Sequence, residues 1–389
     1  MIQFTFFRHV WLHLNIYHEN FEMNEEVTIV LGNETCDVDS AVCSLVYAYI
    51  RQGLSAVLQE TKHYIPVLNI NEEDKVLKAE VFYFLEKYGV PVDCLQFRDT
   101  IDLKHIRSST HLEVILVDQH TLSERDLWLK SHVSEVIDHR PLDPDWDWKN
   151  TSKTVESVAS CATLIAEKLI NQDALPVPRS MLILLYGAIL LDTWCFAENP
   201  KLYTEKDKII VEELYRKISY PTFVGLLKDE ELIDGDHLFE DLLSVRCNLT
   251  HLTVLQILKK DLKISCGIPI PVLPVLVQEF LKLHTIEELQ KFTKDFEYKG
   301  IILIGVTFSN GRYAQDIAVF STDKYFLDLM TDTLVTSRDP DLQLNEVTVY
   351  ANMEYIKVFT QQNFKATRKQ ILPIVREFMR HFLSPPTEG

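Results

Sequence analysis

Residues 27–40 read VTIVLGNETCDVDS, an apolar run followed by a polar loop. The run, residues 27–31, is short, rich in β-branched side chains and bounded by Gly32, so it predicts a buried strand. Residues 41–51 continue in a pattern typical of a helix. A strand, a short loop and a helix in this order form the repeating unit of parallel α/β sheets, which bind ligands at the carboxyl ends of their strands.

The loop after this strand contains two carboxylates one residue apart, Asp37 and Asp39, together with the amide of Asn33. Oxygen atoms of this kind are the ligands that hard divalent cations prefer. An Asp at this place also suits the cap of the helix that follows, with Ser40 as its neighbour. The loop alone therefore leaves both a metal site and a helix cap open.

Three further apolar segments also end in an acidic residue. They are residues 114–117 before Asp118, residues 133–137 before Asp138-His139-Arg140, and residues 182–191 before Asp192. Successive strand ends of a parallel sheet meet at one edge, so we expect the polar groups at these ends to converge. The converging set is Asp37, Asp39, Asp118, His139 and Asp192. Its four carboxylates would repel one another unless two divalent ions balanced them, and such a pair of ions suits phosphoryl transfer.

The chain falls into segments of different pattern. Short apolar runs first alternate with helical patterns, which predicts α/β structure on a parallel sheet, and later strands and helices mix, which predicts an α+β unit. The predicted segments are an N-terminal extension (1–24), an α/β domain (25–198), a charged helical connector (199–238) and a smaller mixed unit (239–389). Strand candidates in the last segment are residues 266–275, 300–307 and 315–320.

Several motifs along the chain together resemble those of a known family. They are Gly32-Asn33-Glu34 through Asp37-Val38-Asp39-Ser40, Pro66-Val67-Leu68-Asn69-Ile70, Phe97-Arg98-Asp99 with Ile101-Asp102-Leu103, Asp138-His139-Arg140-Pro141, Ser160-Cys161-Ala162-Thr163-Leu164 and Thr367-Arg368-Lys369. In this set the chain is similar to the prune-type exopolyphosphatases of the DHH phosphoesterase superfamily, over nearly everything after residue 26. The resemblance implies a parallel-sheet DHH domain followed by a smaller DHH-associated domain, with the active site in the cleft between them.

The resemblance also assigns roles, by way of the related family II inorganic pyrophosphatases. The first metal ion would be held by Asn33, Asp37 and Asp118, and the second by Asp39, Asp118, His139 and Asp192, with Asp118 bridging. Arg140 would face the substrate phosphate. An oxygen-rich first site favours Mg²⁺, and we expect Mn²⁺ to be accepted as well.

Three positions depart from the pyrophosphatase pattern. Asn33 stands in place of a metal-binding His, and Arg140 in place of the second His of the DHH motif, as in prune-type proteins. Gln119 is particular to this chain, since close relatives have His there. A neutral amide cannot exchange a proton near neutral pH, so we expect slow hydrolysis, with His120 as a group that could compensate. Asp118, His120 and Arg140 are the candidate catalytic residues.

The second domain carries the other candidate substrate-binding residues. Arg368 and Lys369 open a predicted helix that runs to about residue 382, and the N–H groups and charges of such a helix start can bind an anion. The resemblance places Lys263 beside them, around the phosphates distant from the metals. The alternative for these basic residues is a solvated surface.

The expected function is metal-dependent hydrolysis of phosphoanhydride bonds in short-chain inorganic polyphosphate. Two alternatives stay open. One is cleavage of a cyclic nucleotide such as cAMP, which the family resemblance also implies. The other is a role mainly as an interaction protein for nucleoside diphosphate kinase, with weak catalysis.

The composition of the chain bears on its binding partners and on its location in the cell. The net charge of −18 argues against nucleic acid as a partner, and no apolar run reaches the roughly 18 residues of a transmembrane segment. Seven cysteines without a C-x-x-C pair are typical of a reduced, intracellular protein, so we expect a cytoplasmic location. The absence of acidic residues from positions 1–18 leaves a mitochondrial location as the alternative.

Overall fold

The computed structural model describes residues 26–109, 111–149, 151–172, 174–196, 203–219, 233–309, 312–350 and 353–383. The predicted N-terminal extension lies outside these ranges, as does part of the predicted connector. The chain forms two compact units that divide between Arg246 and Cys247. Among the helices within the described ranges, none combines the length and the apolar character that crossing a membrane requires.

The first unit is built on a six-stranded sheet. Its strands are β1 (Glu26–Leu31), β2 (Lys62–Leu68), β3 (Gln96–Phe97), β4 (His111–Val117), β5 (Val133–Asp138) and β6 (Ser152–Val155). The α-helices that follow β1, up to the junction of the units, are α1 (Val38–Val57), α2 (Ala79–Lys87), α3 (Leu103–Ser109), α4 (Cys161–Ile170), α5 (Arg179–Asp192), α6 (Glu205–Ser219) and α7 (Gly235–Cys247). Short 3-10 helices cover Glu72–Lys78, Val92–Cys94 and Glu124–His132.

All neighbouring strands of this sheet are parallel, in the order β3-β2-β1-β4-β5-β6. The chain builds outward from β1 through β2 to β3, and then returns to the other side of β1 to begin again at β4. The carboxyl ends of β1 and β4 therefore flank the point where the strand order reverses, and open α/β sheets bind ligands at such a point. The predicted parallel-sheet α/β fold is confirmed.

The central strands of this sheet are buried on both faces. Residues 27–31 have no exposed surface, and residues 114–117 are at most 1% exposed. Strands that are covered on both sides read as continuous apolar runs rather than as alternating ones. For this reason the runs at residues 27–31, 114–117 and 133–137 predicted β1, β4 and β5 correctly.

The apolar segment 182–191 is not a strand. It lies in α5, where residues 181–191 are all buried, so neither helical nor strand periodicity is visible. The segment is longer than the about four to eight residues of a typical buried strand, and length is what separates the two cases. The strand-end explanation for Asp192 is therefore wrong, because Asp192 is the last residue of a helix.

The second unit contains a mixed sheet of order β11-β12-β10-β9-β8-β7, in which β8 and β9 are parallel and the other neighbours antiparallel. Its strands are β7 (Leu262–Ser265), β8 (Ile268–Leu273), β9 (Ile301–Ser309), β10 (Arg312–Phe320), β11 (Leu344–Glu346) and β12 (Ile356–Gln361). Its helices are α8 (Val254–Lys260), α9 (Val277–Leu283), α10 (Ile286–Asp295), α11 (Lys324–Thr336) and α12 (Arg368–Phe382), with a 3-10 turn at Thr348–Tyr350. The predicted mixed α+β unit is confirmed, and its strand candidates correspond to β8, β9 and β10.

A buried carboxylate, Asp316 in β10, joins the second sheet to α9. It accepts hydrogen bonds from the backbone N–H groups of Val277 (2.7 Å) and Gln278 (3.1 Å). This approach is possible because Gly305 in β9 has no side chain, and a Cβ there would overlap both the Asp316 carboxylate and the Val277 nitrogen. Burial raises the pKa of Asp316 to about 6, although the N–H bonds oppose that shift.

We expect Asp316→Asn to become more stable relative to wild type as the pH rises. The folded-state pKa lies above the ordinary value of 3.8, so the charge of Asp316 opposes folding above about pH 6, and this cost vanishes towards pH 4. The free energy of unfolding of the variant should gain about 2–3 kcal/mol on that of wild type between about pH 4 and pH 7. Urea unfolding at both pH values measures the gain, and a difference that does not change with pH would contradict it.

Candidate metal centre

The loop between β1 and α1 is held in place by its own polar groups. Oδ1 of Asp37 accepts a hydrogen bond from the Ser40 N–H (3.0 Å), so Asp37 does cap the helix. The Ser40 hydroxyl accepts from the Asn33 N–H (2.6 Å), and it packs so close to Gly32 that a Cβ there would meet it at 2.5 Å. A cap through Oδ1 is compatible with metal binding through Oδ2, so the two predicted roles of Asp37 do not exclude each other.

Three of the predicted ligands meet at the reversal point of the first sheet. One potential ligand atom each of Asp39, Asp118 and His139 lies within 4.8 Å of the other two. Asp39 belongs to the first turn of α1, Asp118 follows β4, and His139 follows β5. The parallel order of the strands therefore brings together side chains that are distant in sequence.

Asp118 is the centre of this group. Its backbone φ of +54° lies in the left-handed region, which is unfavourable for a residue with a side chain. Its Oδ1 lies 3.0 Å from Arg140 Nη2 and 3.4 Å from His139 Nε2. Its Oδ2 is buried and finds no hydrogen-bond partner in the described part of the chain. A buried carboxylate oxygen without a donor is costly, and a bound cation would remove that cost.

The orientation of His139 is fixed by the loop before α4. Its Nδ1 lies 3.0 Å from the carbonyl oxygen of Val158. Because a carbonyl can only accept, Nδ1 carries a hydrogen, and Nε2 is the atom that faces Asp118. Burial lowers the pKa of His139, but contact with Asp118 outweighs burial, and the pKa lies above its ordinary value. The imidazole thus stands where positive charge is favoured.

Three further carboxyl groups share the surplus negative charge of the site. Burial, followed by the charges of Asp118 and Asp39, raises the pKa of Asp37 to about 6. Burial and Asp118 likewise raise the pKa of Asp39. Burial, together with the charges of Asp39 and Asp37, raises the pKa of Asp192 well above its ordinary value. A bound cation relieves such mutual repulsion, so the cluster, including Asp192 at the end of α5, has the charge pattern of a dication site.

A second set of contacts to Asp39 comes from the N-terminus of α4. The Cys161 N–H donates to Oδ2 (2.8 Å) and the Ala162 N–H donates to Oδ1 (2.7 Å). These residues belong to the motif at 160–164, for which the sequence predicted no role in the site. A Ser before an apolar helical run is a visible sign of a helix start, but it does not show which carboxylate the free N–H groups bind.

Asn33 and Arg140 both contact Asp118. Nδ2 of Asn33 donates to the Asp118 carbonyl oxygen (3.1 Å), and its Oδ1 accepts from the Thr35 N–H (3.1 Å). Arg140 donates through Nη1 to the same carbonyl (2.7 Å) and through Nη2 to the carboxylate (3.0 Å). Both side chains therefore lie at the site, with the amide oxygen of Asn33 bonded to its own loop and the guanidinium of Arg140 paired with Asp118.

His120 is buried beside the site, but both nitrogens of its ring have protein partners. Nδ1 lies 2.5 Å from Asp138 Oδ2, and Nε2 accepts a hydrogen bond from the Asp143 N–H (2.9 Å). Since Nε2 accepts, the proton sits on Nδ1, which donates to Asp138. Burial opposes ionisation of Asp138, but the His120 bond and the charge of Arg140 bring its pKa below the ordinary value. These contacts favour a role for His120 in positioning Asp138 rather than in proton transfer.

Gln119 points to the backbone at the end of β1. Its Nε2 donates to the carbonyl oxygens of Gly32 (2.6 Å) and Leu31 (3.2 Å). The Gly32 carbonyl also accepts from Asn69 Nδ2 (3.0 Å), and Asn69 Oδ1 accepts from Arg125 (2.7 Å). Gln119 thereby ties the end of β4 to the metal loop. The sequence did not reveal this contact because Gly32 and Gln119 are 87 residues apart.

We expect Gln119→Leu to weaken metal binding, whereas Gln119→His should leave it nearly unchanged. Leu fills a similar space but cannot donate to the Gly32 carbonyl, while a His N–H can. Loss of an outer contact that orients metal ligands typically costs about 10–100-fold in affinity. Calorimetric titration of the metal-free proteins with Mn²⁺ measures the effect, and wild-type affinity in the Leu variant would contradict it. Faster hydrolysis by Gln119→His, with a shifted pH profile, would support proton transfer by a His at this position.

The basic residues predicted in the second unit differ in their contacts. Arg368 donates through Nη1 to the carbonyl oxygens of Asp261 (2.6 Å) and Ile270 (3.3 Å), and through Nη2 to the Asp261 carboxylate (2.6 Å). Its side chain is only 13% exposed. Lys369 follows it in the first turn of α12, and Lys263 lies in β7. Arg368 is thus committed to contacts within the second unit.

Known proteins resemble this chain in sequence. Residues 240–378 match the DHHA2 domain family. Exopolyphosphatase PRUNE1 of Homo sapiens is 29% identical over 357 residues, which cover 90% of this chain and 75% of that protein. A Brevibacillus brevis protein named as a manganese-dependent inorganic pyrophosphatase is 24% identical over 190 residues, which cover 49% of this chain and 54% of that protein.

The fold is similar to that of a solved structure. A Methanococcus jannaschii protein assigned to the family II inorganic pyrophosphatases matches with a TM-score of 0.58 and 18% identity, covering 91% of this chain and 99% of that one. This match shows the fold. The sequence matches to PRUNE1 and to the DHHA2 domain show which proteins the chain is similar to in sequence. In sequence the chain is similar to the prune-type exopolyphosphatases over most of its length, and its residues 240–378 carry a DHHA2 domain.

Proposed function

We propose that this protein hydrolyses phosphoanhydride bonds in short-chain inorganic polyphosphate with the help of divalent metal ions. The observation that carries the proposal is the convergence of Asp39, Asp118 and His139 around a buried, unpartnered oxygen of Asp118. The names of the relatives agree with it, since one is an exopolyphosphatase and another an inorganic pyrophosphatase. Both of those reactions transfer a phosphoryl group from a phosphate leaving group to water.

The proposal assigns two divalent ions to this site. The proposed ligands are Asn33, Asp37, Asp39, Asp118, His139 and Asp192, with Asp118 shared by both ions. Carboxylates that raise one another's pKa gain from binding a cation. The mainly oxygen donors suit Mg²⁺, and the single imidazole is compatible with Mn²⁺. When bound, such ions supply an activated water and neutralise charge on the phosphates.

The protein's own groups bind the substrate and orient one another. Arg140 lies beside Asp118 with its guanidinium in the site, where it would bind a phosphate oxygen and stabilise the charge that develops on it. The backbone N–H of Arg140 donates to Asp138 Oδ1 (3.2 Å). His120 donates to the other oxygen of that carboxylate. We therefore assign a catalytic role to Arg140, and positioning roles to Asp138 and His120.

In the second unit we assign phosphate binding to Lys263 and Lys369 and a supporting role to Arg368. Lys369 lies in the first turn of α12, where the helix dipole favours an anion. Arg368, one residue earlier, joins that turn to Asp261 and to the Ile270 carbonyl in β8. Its guanidinium thereby holds the helix start that presents Lys369.

Phosphate release by the full chain tests the proposed function. We expect hydrolysis of tripolyphosphate and tetrapolyphosphate with Mg²⁺ or Mn²⁺, and its loss when a chelator removes the metal. Turnover of cAMP is measured on the same preparation. Faster cleavage of cAMP than of tripolyphosphate would favour the cyclic-nucleotide alternative. Protein that binds Mn²⁺ but cleaves neither substrate would contradict the hydrolase proposal and favour an interaction role, for which nucleoside diphosphate kinase is the partner to test.

A further inference from the structure

Asp207 is a buried carboxylate outside the metal cluster. It lies in the first turn of α6 and is 0% exposed. Its oxygens accept hydrogen bonds from the Ala159 N–H (3.0 Å), the Thr163 hydroxyl (2.6 Å), and both the N–H and the hydroxyl of Thr204 (2.7 Å each). Thr204 is a local partner, whereas Ala159 and Thr163 lie 48 and 44 residues earlier in the chain. Asp207, which lies in the predicted connector, therefore binds to the start of α4 and to the loop before it.

Asp207 binds the Ala159 N–H, which lies in the segment 158–162. This segment also contacts two proposed metal ligands. At one end, the Val158 carbonyl accepts from His139 Nδ1 (3.0 Å). At the other end, the N–H groups of residues 161 and 162 donate to the two oxygens of Asp39 (2.8 and 2.7 Å). The Ala159 N–H, which Asp207 binds, lies between them. Movement of this segment would turn the His139 ring and release Asp39 together.

A neighbouring contact restrains the same region. Lys206, next to Asp207, bridges Glu156 (2.6 Å) just before the segment and Glu167 (2.8 Å) within α4. The first turn of α6 is thus attached on both sides of residues 158–162.

We propose that Asp207 is a positioning residue for the metal centre. It holds residues 158–162 so that the Val158 carbonyl directs Nε2 of His139 towards Asp118 and the α4 N-terminus directs the oxygens of Asp39. The inference rests on the proposed function, because it assumes that these side chains bind metal. It also gives α6, which the sequence identified only as part of a connector, a direct effect on metal affinity.

Two matched sets of variants test this role in the full-length chain. Asp207→Asn keeps the shape of the side chain but turns an acceptor into a donor opposite N–H groups. Thr163→Val removes one hydroxyl bond to Asp207, and Thr163→Ser retains it. Asp316→Asn is the control, since Asp316 is also buried and also accepts backbone N–H bonds, from Val277 (2.7 Å) and Gln278 (3.1 Å), but belongs to the second unit. Calorimetry with Mn²⁺ on metal-free protein measures affinity, and amide hydrogen exchange reports the mobility of residues 158–162.

We expect Asp207→Asn to weaken Mn²⁺ binding at least about tenfold and to speed exchange in residues 158–162, because outer contacts of ligands have effects of this size. Thr163→Val should show the same changes more weakly, and Thr163→Ser should restore wild-type behaviour. Asp316→Asn should leave Mn²⁺ affinity unchanged even where it alters the melting temperature. Wild-type Mn²⁺ affinity and wild-type amide exchange in Asp207→Asn would overturn the proposal. If Asp207→Asn does not fold, equal Mn²⁺ affinity and equal exchange in the two Thr163 variants would overturn it.

Failure of the proposed function gives a different result. If the wild-type chain binds no Mn²⁺, the metal assignment itself is wrong. If it binds Mn²⁺ but releases no phosphate, the hydrolase assignment is wrong, and the affinity differences among the variants still decide the role of Asp207.

Discussion

Replacing Asp118 by Asn should abolish phosphate release while leaving the metal-free protein at least as stable as wild type. Asp118 is the proposed ligand of both ions, and its charge contributes to the raised pKa values of Asp37, Asp39 and Asp192. Asn keeps an oxygen for the Arg140 bond (3.0 Å) but removes that charge. The substitution therefore relieves repulsion in the absence of metal and removes the group that would bind the ions.

The expected loss of activity is large. Metal ions contribute several kcal/mol to transition-state stabilisation, so losing both should reduce turnover about 10³-fold or more. Mn²⁺ titration should fall from two ions per chain to none in Asp118→Asn, and to one in Asp192→Asn. Thermal unfolding in a chelator measures stability. One ion per wild-type chain would refute the two-ion site, and a markedly lower melting temperature for Asp118→Asn would refute the repulsion argument.

The fold and the core of the site were predictable because they follow from strand order. Residues 27–31 and 114–117 are continuous apolar runs because both faces of these strands are buried. The ends of parallel strands share an edge, so Asp39, Asp118 and His139 could be grouped without knowing any distance.

The directions of individual side chains were not predictable in the same way. Gln119 and His120 follow Asp118 directly, yet one donates to the Gly32 carbonyl and the other bonds to Asp138. Sequence proximity to a ligand suggested chemistry for both residues, whereas the structure gives both of them packing and positioning contacts. These orientations depend on which backbone groups the neighbouring strands leave unpaired, and a single sequence does not show that.

Asp207 shows the same limit at the level of a whole element. A charged helical segment indicates a solvated connector, and four charged residues of α6 are exposed, namely Glu205, Glu212, Arg216 and Lys217. The carboxylate of Asp207 is nonetheless buried against α4. Asp207 stands three and four residues before Ile210 and Val211, on the buried face of the helix, so helical spacing marks it as a candidate for burial. The spacing does not show which groups it binds, because tertiary contacts decide that.

Arg368→Ala should destabilise the second unit by about 1.5–3 kcal/mol, the usual contribution of hydrogen bonds to a charged group, because the Asp261 side chain is 27% exposed and solvent screens the pair. The change would leave the Asp261 carboxylate without its guanidinium and would deprive the carbonyl oxygens of Asp261 and Ile270 of a donor. A supporting role for Arg368 and a role as a phosphate clamp predict different results when its ion-pair partner, Asp261, is replaced by Ala. If Arg368 supports α12, Asp261→Ala should also be destabilising and should weaken polyphosphate binding to a similar degree. If Arg368 binds phosphate, Asp261→Ala should free the guanidinium and leave binding intact or stronger.

Urea unfolding and tripolyphosphate affinity of the two variants separate these cases, with Lys369→Ala as the control. Lys369 is a proposed phosphate-binding residue on the same helix turn, so its variant should lose affinity with less loss of stability. Mn²⁺ affinity should stay at the wild-type value in all three variants, because the proposed ligands belong to the first unit. Since Asp261 is itself negative, any gain in polyphosphate affinity for Asp261→Ala has to be compared at high salt, where general repulsion is screened. A gain that survives at high salt would show that Arg368 is the phosphate clamp and that its bond to Asp261 competes with substrate.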